Sequence, residues 1–205
     1  MSPALAQFLA TLAQHGRAHD QATTTHLDKL LNITPDTGPF LALLVQATGA
    51  RAVLEVGTSN GYSTVWLADA VRAQPDGHVT TLEASAAKAH LAADTFTQAG
   101  VSACVTLVQT EAGAWLAQSR AVFDFLFLDA DRAQYVAWWP QLLERLAPGG
   151  LLVVDNATSH AAELAAFTEL VAATPIVAHV LVPLGKGELL VWKARRALSQ
   201  GAPGE

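Results

Sequence analysis

Residues 52–64 read AVLEVGTSNGYST, and their reading decides the fold. AVLEVG is a short, mostly apolar run, which marks a buried strand rather than a helix. Gly57 and Gly61 bracket a polar loop, and STVWLADAVRA (63–73) then shows helical spacing. A strand that enters a helix through a glycine turn opens a strand–helix–strand unit. A strand apolar on both faces belongs in a parallel sheet covered by helices on both sides.

The same alternation continues outward. HVTTLEA (78–84), CVTLVQ (104–109), FDFLFLD (123–129) and LLVVDN (151–156) read as strands. SAAKAHLAADTFTQAG (85–100), EAGAWLAQS (111–119), AQYVAWWPQLLERLAPGG (133–150) and HAAELAAFTELVAAT (160–174) read as helices, the third ended by Pro148 and two glycines. IVAHVLVPLGKGELLVWKA (176–194) reads as two strands around a glycine-rich turn, with one antiparallel strand closing the end of the sheet. The expectation is an open, doubly wound, Rossmann-like α/β sheet that binds ligands beyond the carboxyl ends of its strands.

Upstream, residues 1–33 form a helical segment, with apolar residues at Leu5, Phe8, Leu9 and Leu12 and again at Leu27, Leu30 and Leu31. Thr34-Pro35 reads as an N-cap with proline in the first turn of a helix that runs to about Ala47 and is ended by Gly49. The domain expectation is therefore a helical segment 1–33, a catalytic domain 34–194 and a loose tail 195–205. The N-terminal helices either cover a pocket or pack in a homodimer.

Composition narrows the function. The chain has 205 residues, 51% hydrophobic and 15% charged, with a net charge of −6. That balance fits one globular domain and argues against a nucleic-acid partner. A single cysteine, Cys104, excludes an internal disulfide and reads as a small core residue. No uncharged apolar run reaches about 18 residues, so no membrane span is expected, and without a signal-peptide pattern the expected location is cytoplasmic.

The loop between Gly57 and Gly61 departs from the G-x-G-x-x-G dinucleotide fingerprint. Glu55 beside it suits a positively charged ligand group better than a pyrophosphate. Glu83, at the end of the second strand and 28 residues after Glu55, can accept both hydroxyls of a ribose.

Taken in order, EVGTSNGYST, TLE, FLDADR and GGLLVVDN resemble the class I S-adenosylmethionine-dependent O-methyltransferases, in the catechol and caffeoyl-CoA branch. The resemblance covers roughly residues 34–193. It implies a seven-stranded sheet whose last strand is antiparallel. It also implies that Glu55, Gly57, Gly61 and Ser63 form the cofactor loop, that Glu83 holds the ribose, and that the backbone of Ala112 meets the adenine. QTEAGAWL (109–116) departs from the family's usual Gly-Asp-Ala pattern at that edge, where Trp115 is either a border or a core residue.

Asp129 ends the fourth strand, and Asp155 and Asn156 end the fifth. Two carboxylates and an amide oxygen suit a hard divalent cation. The resemblance assigns this triad to Mg2+ or a similar ion, chelated by neighbouring oxygens of a small hydroxylated acceptor. The bland alternative has Asp129 facing the cofactor sulfonium while Asp155 and Asn156 merely cap the next helix. The family's catalytic lysine falls at Arg132, whose guanidinium stays protonated and cannot act as a base. Arg132 can still stabilise an oxyanion or hold an acidic substrate, and the base is Asp131, His160 or a metal-bound hydroxide, or no protein base is needed. Tyr135 and Trp139 share a helical face, either as an aromatic wall for the acceptor or as core. Competing readings are a metal-independent methyltransferase, a nicotinamide-dependent oxidoreductase and a non-catalytic cofactor sensor.

Overall fold

A computed structural model describes residues 1–195; from residue 196 on, the expected tail lies outside the described residues. Seven strands form one sheet: β1 (Ala52–Val56), β2 (His78–Glu83), β3 (Val105–Gln109), β4 (Phe123–Leu128), β5 (Leu146–Val154), β6 (Val177–Val182) and β7 (Glu188–Lys193). Their order is β3-β2-β1-β4-β5-β7-β6, and β7 alone runs antiparallel to its neighbours. The helices are α1 (Pro3–Ala22), α2 (Thr37–Thr48), α3 (Tyr62–Val71), α4 (Ala86–Ala99), α5 (Ala112–Gln118), α6 (Tyr135–Arg145) and α7 (Ala161–Ala172).

The strand FDFLFL shows why the sheet needs two coats. Phe125 and Phe127 join Val53 and Val153 in a core with α1 to α4, whereas Leu126 and Leu128 join Leu54 and Leu152 in a core with α5 to α7. All four β4 side chains are fully buried. Each such burial contributes about 1.5–3 kcal/mol. Alternating side chains on opposite faces thus require helices on both.

β1 is the pivot. The chain winds from it to β2 on one side and then returns to β4 on the other. The strand order reverses at β1 and β4, and sheets of this kind bind ligands in the crevice beyond the carboxyl ends at that switch. Gly57 makes the close approach possible: its φ is +105°, and a Cβ there would collide with the Asp129 carbonyl oxygen.

Four expectations are corrected. The fourth of the expected helices after β1, 133–150, ends at Arg145 and not at residue 150. Residues 146–150 open β5, where Leu146 pairs with Phe123. Pro148 disfavours helical geometry in the residue before it, and the buried Arg145 is tied to the Ser119 carbonyl. α2 begins at Thr37, because Thr34 and Pro35 form a turn whose carbonyl at Thr34 accepts from Thr37 N at 3.1 Å. Residues 26–33 are a single 3-10 turn, His26–Asp28, followed by an extended segment. Leu27 and Leu31 stay exposed, while Leu30 is buried and Asp20 accepts from the backbone of Leu30 and Leu31. Finally, the antiparallel strand β7 lies between β5 and β6, so β6 forms the edge. Among the described residues no helix is long and apolar enough to cross a membrane.

Candidate active site

The crevice has two halves, built from opposite sides of the switch point. In the first, Glu55 near the end of β1 is fully buried. A buried carboxylate needs donors. Three hydroxyls supply them: Ser63 at 2.6 Å, Thr81 at 2.6 Å, and Thr64. Burial still dominates and pushes the Glu55 pKa up to about 7, against the lowering effect of those hydroxyls. Glu55 therefore braces the loop from beneath. Gly61, at φ +84°, passes against the Phe96 ring and lets α3 start there.

Glu83 ends β2 with both oxygens engaged, accepting from Ser59 N at 2.8 Å and Ser85 N at 2.9 Å. Its carboxylate is fixed at the crevice edge. Ser59, at φ +50°, donates its hydroxyl to the Leu30 carbonyl at 2.6 Å, which ties the loop to the extended segment after α1. Ala112 is the first residue of α5 and is half-buried. Trp115 stacks at a tilt on Phe123 and belongs to the core. One residue missed by sequence reasoning is Asn60, buried in the loop with its Nδ2 lacking any partner. Thr58, Ser59 and Asn60 are equally polar in sequence, so nothing there marked the spare donor.

In the second half, Asp129, Asp155 and Asn156 do come together. Asn156 Nδ2 donates to Asp129 Oδ1 at 3.1 Å and to Asp155 Oδ2 at 2.9 Å. Asn156 reaches this position through a left-handed backbone, φ +66°, which asparagine tolerates better than most residues. Burial, then the neighbouring Asp155, raises the Asp129 pKa well above the usual carboxylate range; burial also raises that of Asp155.

A third acid was not foreseen. Glu188, the first residue of β7, is fully buried, and Thr37 Oγ1 donates to its Oε1 at 2.9 Å. Burial, then Asp155, pushes its pKa up to about 9. Asp155 Oδ1 and Glu188 Oε2 are buried without a partner. Among the described residues no three His, Cys, Asp or Glu side chains form a ready cluster for a metal ion. The fitting set is two carboxylates and one amide, with a spare oxygen on Asp155. Asn156 turns Nδ2 toward both carboxylates, so the set offers three hard oxygen donors only when that amide rotates to present Oδ1.

The other candidates sit around this core. Arg132 Nε donates to Glu163 Oε2 at 2.8 Å, which links the loop after β4 to the first turn of α7. Asp131 is exposed and caps its own turn by accepting from Ala133 N at 3.1 Å. His160 is the half-buried N-cap residue of α7, with Nδ1 2.9 Å from Ser159 Oγ. Tyr135 and Trp139 pack edge-on against Phe167 and are core, not a wall for the acceptor.

A family model described as O-methyltransferase matches residues 10–194. The chain belongs to the O-methyltransferase family. A catechol O-methyltransferase from Niastella koreensis is 36% identical over 131 residues, which span 62% of this chain and 58% of that protein. A caffeoyl-CoA O-methyltransferase from Populus kitakamiensis is 30% identical over 168 residues, 76% of this chain and 71% of that protein. Among solved structures, an O-methyltransferase from Bacillus cereus in complex with SAH matches at a TM-score of 0.77 and 29% identity, covering 91% of this chain and 90% of that one. The fold and the crevice are thus those of an S-adenosylmethionine-dependent O-methyltransferase, and the nicotinamide reading falls away.

Proposed function

We propose that this O-methyltransferase transfers the methyl group of S-adenosylmethionine to a hydroxyl of a small, catechol-like acceptor, assisted by Mg2+ or a similar divalent cation. The observation that carries the reading is the meeting of Asp129, Asp155 and Asn156 at one rim, within 3.1 Å through the amide, with Asp155 Oδ1 spare. These three residues would hold the ion, which when bound would supply Lewis-acid polarisation of the acceptor hydroxyl.

The chain's own work is mainly alignment. Glu83, fixed by two backbone N–H groups, would accept from the ribose hydroxyls. The loop of Gly57, Gly61 and Ser63 would hold the methionine part, and Glu55 contributes by holding Ser63, Thr64 and Thr81 in place. The backbone of Ala112 would meet the adenine. The bound cofactor would supply an electrophilic methyl group, which the acceptor oxygen would take as the sulfur keeps the bonding electrons and the hydroxyl proton departs. Arg132 stabilises the developing oxyanion and is not the base; His160, at the same rim, accepts the proton directly or through water.

A second reading keeps the cofactor and drops the metal. It is favoured by the Asn156 amide, which already bridges both carboxylates. One assay separates the two. Purified protein, catechol and S-adenosylmethionine should give methylated product with Mg2+ and lose nearly all turnover with excess chelator. Undiminished turnover under chelator selects the metal-free reading.

A further inference from the structure

We infer that Tyr135 and Trp138 are positioning residues for the cofactor: the Tyr135 hydroxyl pins the loop after β4, and the Trp138 ring links it to the first turn of α5. This deepens the proposed cofactor placement, between Asp129 and Ala112, and rests on it.

The chain leaves the sheet at Ala130. Asp129 N still donates to the Val56 carbonyl at 3.0 Å, but the next residue has no strand partner. Its backbone N–H and carbonyl therefore need other partners. One hydroxyl serves both: Ala130 N donates to Tyr135 Oη at 2.8 Å, and Tyr135 Oη donates to the Ala130 carbonyl at 3.2 Å. A phenol can do this because its oxygen both accepts and donates. Tyr135 is fully buried at the start of α6, so the ring that carries the hydroxyl is held by the core. On the opposite side the Asp129 carbonyl lies against Gly57, where no Cβ fits. The Asp129–Ala130 peptide is thus held at two points, by the cofactor loop and by Tyr135.

Trp138 carries the constraint to α5. Its ring centroid is 5.8 Å from that of Tyr135, at a tilt of 37°. That is the spacing of an attractive aromatic pair. Its Nε1 sits over Gly113, where a Cβ would come within 2.8 Å of it. Gly113 is the second residue of α5 and follows Ala112 directly. It is not among the glycines with positive φ, so a left-handed backbone is not its reason. Glycine costs a helix about 0.5–1 kcal/mol relative to alanine. Here the indole occupies the space that an alanine methyl would need.

Ring packing alone does not account for the hydroxyl. A phenylalanine at position 135 would pack equally well on Trp138 and Phe167, yet would leave Ala130 free to shift. A displacement of about 1 Å can cost a catalyst as much as a hundredfold. One buried aromatic pair therefore keeps both ends of the cofactor site in register, the loop at Asp129 and the backbone at Ala112.

The test is calorimetry with S-adenosylhomocysteine, which needs neither acceptor nor metal. In Tyr135→Phe affinity should fall about tenfold, as for hydrogen bonds lost from the loop. Gly113→Ala should also weaken binding, although alanine is the better helix former. In a Trp138→Leu background the same change should matter far less, because the indole is gone. Thermal melts establish that each variant is folded. A folded Tyr135→Phe with wild-type affinity overturns the pinning role and leaves the hydroxyl purely structural. A Gly113→Ala effect equal in both backgrounds overturns the link through Trp138. If Tyr135→Phe does not fold, Gly113→Ala decides: weakened binding supports the inference and wild-type binding overturns it. Glu83→Ala separates the two readings, since a loss there with none in Tyr135→Phe keeps the cofactor placement and sinks this inference. A wild type that does not bind S-adenosylhomocysteine overturns both.

Discussion

The two halves of the crevice answer the same problem, buried acids, in opposite ways. Around the loop after β1, Glu55 receives three hydroxyl donors and Glu83 two backbone donors; the one orphan is a donor, Asn60 Nδ2. Around Asp155 the atoms without an outside donor are carboxyl oxygens, Asp155 Oδ1 and Glu188 Oε2, and Glu188, its pKa pushed up to about 9 by burial and by Asp155, is protonated at neutral pH and shares its proton with Asp155. The first half is complete before any ligand arrives. The second crowds three buried carboxyl groups, Asp129, Asp155 and Glu188, whose pKa values all rise because burial disfavours their charge. One side is built to position, the other to be filled.

The largest effect expected from that contrast is on the unfilled side. Asp155→Ala should lower Mg2+-stimulated turnover about a thousandfold, on the order of 4 kcal/mol. The melting temperature of the ligand-free protein should hold or rise, because a strained acid is gone. Equal rates in mutant and wild type would erase the distinction between the halves.

A second measurement probes the braced side. The pKa of Glu55 is raised from 4.5 to about 7, so the native state holds a proton that the unfolded chain releases earlier. Stability from this group is fully present below about pH 4.5 and is lost as pH rises to about 7, by roughly 3 kcal/mol. Thermal melts of the ligand-free wild type should show this decline, and Glu55→Gln should flatten that part of it. A profile identical in both proteins contradicts the bracing account.

The smallest effect concerns Glu83. Its replacement by Ala should weaken S-adenosylhomocysteine binding by about tenfold, the value of one charge-assisted hydrogen-bond pair. Calorimetry with unaltered affinity would move the ribose elsewhere.

Much of this was readable in the chain. Apolar runs such as FDFLFLD read as strands buried on both faces, and three of the strand ends carry an acid: Glu83, Asp129 and Asp155. Strand ends are legible because the pattern changes there abruptly. The element borders that failed, at Pro35 and at residues 146–150, were places where proline and glycine stop a helix without saying what starts next. The β5 register with Phe123 settled the latter.

Glu188 was not legible as a neighbour of Asp155. In sequence it closes an ordinary polar turn, GKGE, inside a hairpin. It reaches Asp155 because β7 inserts between β5 and β6 and the turn is laced to residues 157–159. Likewise, Tyr135 and Trp139 shared a helical face by spacing, but only the position of Phe167 on α7 made that face core.

The sequence by itself thus determined the strand–helix alternation, the glycine loop, and the acids at the carboxyl ends of β2, β4 and β5, since local pattern and backbone chemistry suffice for these. Only the tertiary structure decided which charges share a rim. That depends on the insertion of β7 and on the contact of Arg132 with α7, between residues 31 apart in the chain, which no local periodicity encodes.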